Sequence, residues 1–158
     1  MSWSRLRNAA RRIDEIRTPT DALLVAHVFV IAALIPALMR LPLERVKDLL
    51  EPGHRLPEPD GVRERHTLAL VALALDFARP VLRPTCLTRG ITRYYALRRA
   101  GMDVTLAFGL RRAVDQVDGH CWLVKDGDPF LEAQDPRALF TEIYRISGRS
   151  TKTMARVC

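Results

Sequence analysis

Pro84-Thr85-Cys86-Leu87-Thr88-Arg89-Gly90 is the stretch on which the fold of this chain turns, together with Gly119-His120-Cys121-Trp122-Leu123-Val124 further on. Proline and threonine ahead of Cys86 read as a helix start, with Thr85 as the cap and Cys86 in the first turn. From residue 86 to residue 100, apolar Leu87, Ile91, Tyr94, Tyr95 and Leu97 recur near helical spacing, while Thr88, Arg89, Thr92, Arg93, Arg98 and Arg99 take much of the rest. Arg98-Arg99-Ala100-Gly101 closes the helix, with cations in the last turn and then glycine. His120 opens an apolar run with strand character. A thiol at a helix N-terminus and an imidazole on a later strand are the layout of a nucleophile and its base.

Each part of that layout has a chemical reason. The thiolate is the nucleophile, and a helix N-terminus offers an anion about half a positive charge together with free N–H groups. The same amides are candidates for holding an oxyanion. A base must come within hydrogen-bond reach of the sulfur, which a strand packed on the helix start can deliver. A third group should orient the imidazole. Asp126-Gly127-Asp128 reads as a hairpin turn that folds residues 129–132 back beside residues 120–125. That brings Glu132 toward His120, with Asp135 as the second candidate.

A plainer reading stands beside each of these. Cys86 could be a small buried hydrophobe, His120 a structural histidine at a loop edge, and Glu132 and Asp135 solvated surface acids. Cys121 follows His120 directly, so on a strand it faces the opposite side and is expected in the core. A zinc site from Cys86, His120 and Cys121 is not expected, since it would lack a fourth ligand. No cofactor is implied. His27, His54 and His66 have no partner motif.

The rest of the chain reads as α+β. Residues 103–110 alternate as a strand does, 111–118 form a polar loop, and 120–125, 129–132 and 140–146 are further strands. The last dozen residues are polar and loose. Residues 62–79 are a helix whose apolar positions spread too widely for one stripe, which predicts a central position. Pro52, Gly53, Pro57, Pro59 and Gly61 mark 51–61 as a linker. The chain thus divides into an N-terminal helical extension (1–50), the linker, and a core (62–158). Within the extension, residues 1–19 are a polar, basic helix or arm, and Thr18-Pro19-Thr20-Asp21 starts a helix with Asp21 as its cap. Residues 22–39 are almost continuously apolar, broken by His27 and Pro36. Their short length, internal proline and central histidine weigh against a membrane span. The reading is a helix buried in the protein or lying on a membrane surface. Residues 41–50 are a short amphipathic helix with Leu43, Val46, Leu49 and Leu50 at helical spacing.

With 158 residues, 48% of them apolar and 27% charged, the chain has the composition of an ordinary globular protein with room for one core. Its net charge of +7 is weighted toward both ends. Such a surface suits an acidic peptide, an acidic partner or anionic lipid. No nucleic-acid-binding motif accompanies it, so nucleic acid is not an expected partner. Cys86, Cys121 and Cys158 are an odd number, which argues against a disulfide framework and for a reducing cytoplasm. The polar first 20 residues do not have the layout of a secretory signal peptide. Peripheral membrane contact through 22–39 is the alternative to a purely cytoplasmic location.

Four pieces together resemble a known family. Cys-Leu-Thr-Arg-Gly at 86–90, Leu-Arg-Arg-Ala-Gly at 97–101, Phe-Gly-Leu-Arg-Arg at 108–112 and Gly-His-Cys-Trp-Leu-Val-Lys-Asp-Gly at 119–127 are similar to the transglutaminase-like leader peptidases of lasso-peptide biosynthesis, the B2 or McjB C-terminal type. The match covers about residues 62–146, and the apolar N-terminal helix pair also looks like the family. The resemblance implies a papain-like, transglutaminase-like cysteine protease core in which a helix carrying the cysteine packs on a small antiparallel sheet. It implies Cys86 as nucleophile, His120 as base, and an acid position, usually aspartate, that falls on Glu132 and leaves Asp135 open. It further implies a precursor peptide as substrate, a separate leader-binding recognition protein of B1 type, and an ATP-dependent macrolactam synthetase acting afterwards. Other readings are a different thiol acyl-transfer enzyme on the same scaffold, or a non-catalytic scaffold that binds peptides or partners.

Overall fold

The structure, a computed structural model, describes residues 14–51, 60–79, 82, 84–112 and 116–147. Residues 1–13 of the basic arm expected over 1–19, most of the linker (52–59), the tip of the polar loop (113–115) and the polar C-terminal residues from 148 on lie outside the described residues.

Four helices and a four-stranded antiparallel sheet make up the described chain: α1 (Pro19–Leu38), α2 (Leu43–Leu50), α3 (Gly61–Ala78), α4 (Cys86–Arg99), then β1 (Val104–Arg112), β2 (Val117–Lys125), β3 (Asp128–Phe130) and β4 (Thr141–Ser147). The strand order is β3-β2-β1-β4. This is the α+β architecture expected from the alternation of patterns along the chain. The sequence placed β2 three residues too late, because Val117 to Gly119 carry no apolar alternation; they continue the strand through pairing with β1 as far as Arg112.

Local chemistry sets the helix ends. Thr18, rather than Asp21, caps α1: its side chain accepts from the Asp21 N–H at 3.1 Å, and the Asp21 carboxylate accepts from the Thr18 N–H at 2.9 Å. This reciprocal pair satisfies two donors that a helix start otherwise leaves open. Pro36 sits in the last turn of α1, two residues before its end. Helix α4 stops where Gly101 adopts φ 98, with the Met102 N–H reaching back to the Leu97 carbonyl at 2.9 Å. That is a left-handed terminus that costs glycine little.

Helix α4 is the centre of the molecule. Ala96 faces α1 and α3, where it joins Val28, Ala32, Val71, Ala74 and Leu75 in one cluster. Ile91, Tyr94 and Leu97 face the sheet, packing with Val104, Leu106, Cys121, Leu123 and Ile146. Ile35 of α1 and Val46 and Leu50 of α2 enter this same cluster, so the first two described helices share the core of the sheet. Helix α1 buries only the stripe Val28, Ala32 and Ile35, leaving Leu23, Val30 and Leu34 half exposed. At 20 residues, with a mean hydropathy of 2.2 over its most apolar 18-residue window, it is long and apolar enough to cross a membrane by length and composition alone.

Two features lock the layers. Arg98, 5% exposed in its side chain, pairs with Glu51 at 3.2 Å and with Asp103 at 2.7 Å; Glu51 also accepts from the Tyr94 hydroxyl. Burial, reinforced by Glu51, pushes the Tyr94 hydroxyl far above its ordinary range, so it stays a donor. Gly90 is the second: a Cβ there would lie 2.8 Å from the Cys121 sulfur and 3.2 Å from Leu106 Cδ1.

Two outcomes follow. Glu51→Ala leaves the buried Arg98 guanidinium half-paired, with an expected loss on the order of 3 kcal/mol in urea unfolding. Gly90→Ala overpacks the helix–sheet contact and is expected to lower Tm by roughly 3–10 °C. Adding Cys121→Ala in the same chain should return part of that loss, because the offending sulfur is gone. An unchanged Tm in the single variant would show that helix and sheet do not meet here.

Candidate active site

The capping threonine prepares the start of α4. Thr85 is extended, and its hydroxyl accepts from the Thr88 N–H at 3.3 Å, while its carbonyl accepts from the Arg89 N–H at 3.1 Å. Cys86 is therefore the first helical residue, and it is exposed. One turn later Gly90 lets the helix close onto β2. The thiol is thus held at the edge of the sheet beside the strand that carries His120.

His120 lies opposite Gly109 in the β1–β2 register. Gly109 has no room for a Cβ, which would meet the Trp122 ring at 2.8 Å and Phe140 at 3.0 Å. The indole occupies that space. His120 in turn stacks on Trp122 (centroids 6.1 Å apart) and lies against Phe140 at 5.2 Å. Two aromatic neighbours restrict how far the imidazole can turn.

The acid arrives by a tight hairpin. Asp126 (φ 53) and Gly127 (φ 91) form its two-residue loop, and Lys125 pairs with Asp128 across it. β3 ends at Phe130, Leu131 takes the left-handed value φ 65, and Glu132 comes to His120: Nε2 to Oε2 is 3.4 Å, with both side chains about one-quarter exposed. A contact of that length is loose, as such contacts often are without substrate. A non-glycine residue at positive φ stores strain, and here it lies next to Glu132.

Cys86, His120 and Glu132 line one cleft of about 200 Å³, with Arg89 and Arg93 of α4 also in its wall. Asp135 is elsewhere. It caps the short 3-10 turn Pro136–Ala138 and binds the Arg137 guanidinium at 2.8 and 3.0 Å, which together hold its carboxyl below the usual range. His66 binds Asp21 at 3.1 Å and ties α3 to α1. His27 lies edge-on to Tyr95 at 6.5 Å. His54 is outside the described residues.

Cys121 is 4% exposed on the face of β2 that meets α4. Burial, then the neighbouring Cys86 and Glu132, push its thiol far above the ordinary range, so it is protonated near neutral pH. The sequence gives Arg89 a place in the Cys-Leu-x-Arg motif and Arg93 a place off the apolar positions, but assigns neither a role at the site, although their spacing of three and seven residues from Cys86 puts all three on one side of a helix. Gly90 and Gly109 stand in the quoted motifs, but their structural duty depends on what packs against them.

Residues 31–145 match the family model of the transglutaminase-like superfamily. The chain belongs to that superfamily. The match starts inside α1 and ends inside β4, so it includes the cysteine helix and every strand pairing around the cleft. Members of this transglutaminase-like superfamily are typically cysteine proteases or acyltransferases, and the position of Cys86 at the start of α4 is consistent with that chemistry. No curated protein and no solved structure matches the chain.

Two measurements bear on the cleft. Brief treatment with iodoacetamide near neutral pH should label Cys86 and spare Cys121, as read by peptide mapping; equal labelling would contradict the burial of Cys121. Any activity that uses His120 should fall about 100- to 10,000-fold in Glu132→Gln and hold nearly steady in Asp135→Asn.

Proposed function

We propose that this protein is a cysteine peptidase that removes the leader from a ribosomally made lasso precursor peptide before its macrolactam is closed. The observation that carries the peptidase reading is the convergence of Cys86, His120 and Glu132 on one cleft at the start of α4. The substrate class rests on the Cys-Leu-x-Arg and His-x-Trp-x-x-x-Asp-Gly pieces. Their residues have structural duties here: Arg89 lines the cleft, Trp122 backs His120, and Asp126-Gly127 makes the hairpin that delivers Glu132.

In this reading Glu132 accepts from Nε2–H of His120, which leaves Nδ1 as the basic nitrogen for the thiol. The Cys86 thiolate attacks the carbonyl carbon of the leader's last residue, in the amide that joins it to the core peptide. Thr88 N–H and Arg89 N–H are already engaged with Thr85, so the N–H groups of Cys86 and Leu87 are the helix-start donors for the oxyanion. His120 protonates the departing amine, leaving a thioester on Cys86. It then takes a proton from water as water attacks the thioester, and the thiolate leaves. Recognition of the leader falls to a separate binding protein, and the exposed apolar side of α1 is the surface through which a membrane would be touched.

Cys86→Ala is expected to abolish cleavage of the precursor, a loss of at least about 1,000-fold, with Tm unchanged because the side chain is exposed. Mass spectrometry of the products in water, and again with added amine, separates hydrolysis from acyl transfer. Full cleavage by the alanine variant would overturn the mechanism.

A further inference from the structure

The wall of the cleft on the α4 side carries two arginines that the proposed mechanism does not use. Cys86, Arg89 and Arg93 lie three and seven residues apart, so they run along one side of α4, and all three line the cleft. Arg89 is exposed, whereas Arg93 is partly buried. Among the described residues neither guanidinium has a hydrogen bond or ion pair, in contrast to Arg98 on the same helix, which has two acidic partners. The carboxylate across the cleft, Glu132, is engaged by His120.

That arrangement is costly as it stands. Two like charges four residues apart on a helix repel, and Arg93 loses hydration as well. Its guanidinium is held below its ordinary basicity by burial and by Arg89, with Glu132 opposing. A ligand that brings a negative charge relieves both costs. The planar fork of a guanidinium matches a carboxylate with two parallel hydrogen bonds, and a small cleft concentrates the field of the pair.

We propose that Arg89 and Arg93 form a carboxylate-binding subsite beside Cys86, and that it takes an acidic side chain of the peptide adjacent to the bond being cut. This rests on the peptidase reading for the identity of the ligand, but not for the existence of the subsite.

Alkylation of Cys86 by iodoacetate and by iodoacetamide tests it without any cleavage. Both reagents form the same S–CH2 bond and release iodide. The ratio of their rates therefore cancels the reactivity of the thiol and reports only the preference for a carboxylate. In the full-length protein at low salt, this ratio at Cys86 is expected to exceed that of a short cysteine peptide by about tenfold. It should fall several-fold in Arg93→Gln and in Arg89→Gln, fall less in Arg93→Lys, which keeps the charge but loses the fork, and decline in the unsubstituted protein as salt is raised. A ratio equal to that of the peptide, or one indifferent to both substitutions, overturns the subsite.

A second arm addresses the ligand. Precursor peptides that differ only as Glu against Gln beside the cut should show a preference for the acid in kcat/KM, expressed in KM and lost in Arg93→Gln. A high alkylation ratio with no such preference overturns the assignment to an acidic side chain. If no precursor is cut at all, the peptidase reading fails, while the alkylation ratio still decides the subsite.

Discussion

Helix α4 brings Cys86 to the edge of the sheet only because Gly90, one turn further on, has no side chain. A methyl group there would sit 2.8 Å from the Cys121 sulfur, closer than packed atoms tolerate, and helix and strand would have to separate. The candidate site depends on that close approach. Cys86 rides on the helix and His120 on the strand, so a small displacement at the contact becomes a displacement between the thiol and the imidazole. Cys121 has a structural place in the same contact. It is the small, polarisable neighbour against which the glycine closes, and its burial keeps its thiol protonated beside the exposed Cys86.

The opposite face of β2 solves a different problem. Gly109 clears a space for Trp122, Trp122 and Phe140 flank His120, and the tight turn at Asp126-Gly127 returns the chain so that Glu132 can meet the ring. The strand thus uses its two sides separately, one to grip the helix and one to orient His120. The period-two geometry of a strand makes this possible within the consecutive residues His120, Cys121 and Trp122.

Much of this was legible in residue order. Pro84-Thr85 marked the helix start because capping is local chemistry, and Asp126-Gly127 marked the hairpin because few residues accept two positive φ values in succession. The four strands and the helix stop at Gly101 follow from similarly local rules. Other features were not legible. Residues 117–119 join β2 through pairing alone. Thr18 takes the cap that Asp21 seemed to offer, because both residues bond in a reciprocal pair. The place of Arg89 and Arg93 in the cleft wall was not legible either, since a helical spacing shows which side chains share a face but not what that face meets.

By itself, the sequence determined the elements, the cysteine at a helix start, the histidine at a strand start and a short set of acids that could orient it. These are consequences of near-neighbour sterics and hydrogen bonding, which act within a few residues. Only the tertiary structure placed Glu132 at 3.4 Å from His120 and Asp135 on Arg137, because that choice depends on where Leu131 turns the chain after β3. Only the tertiary structure showed that α1 and α2 share the core of the sheet, and that two arginines without an ionic partner among the described residues line the cleft beside the thiol. Burial and the meeting of charges from distant segments are properties of the packed chain, set by which surfaces exclude water together.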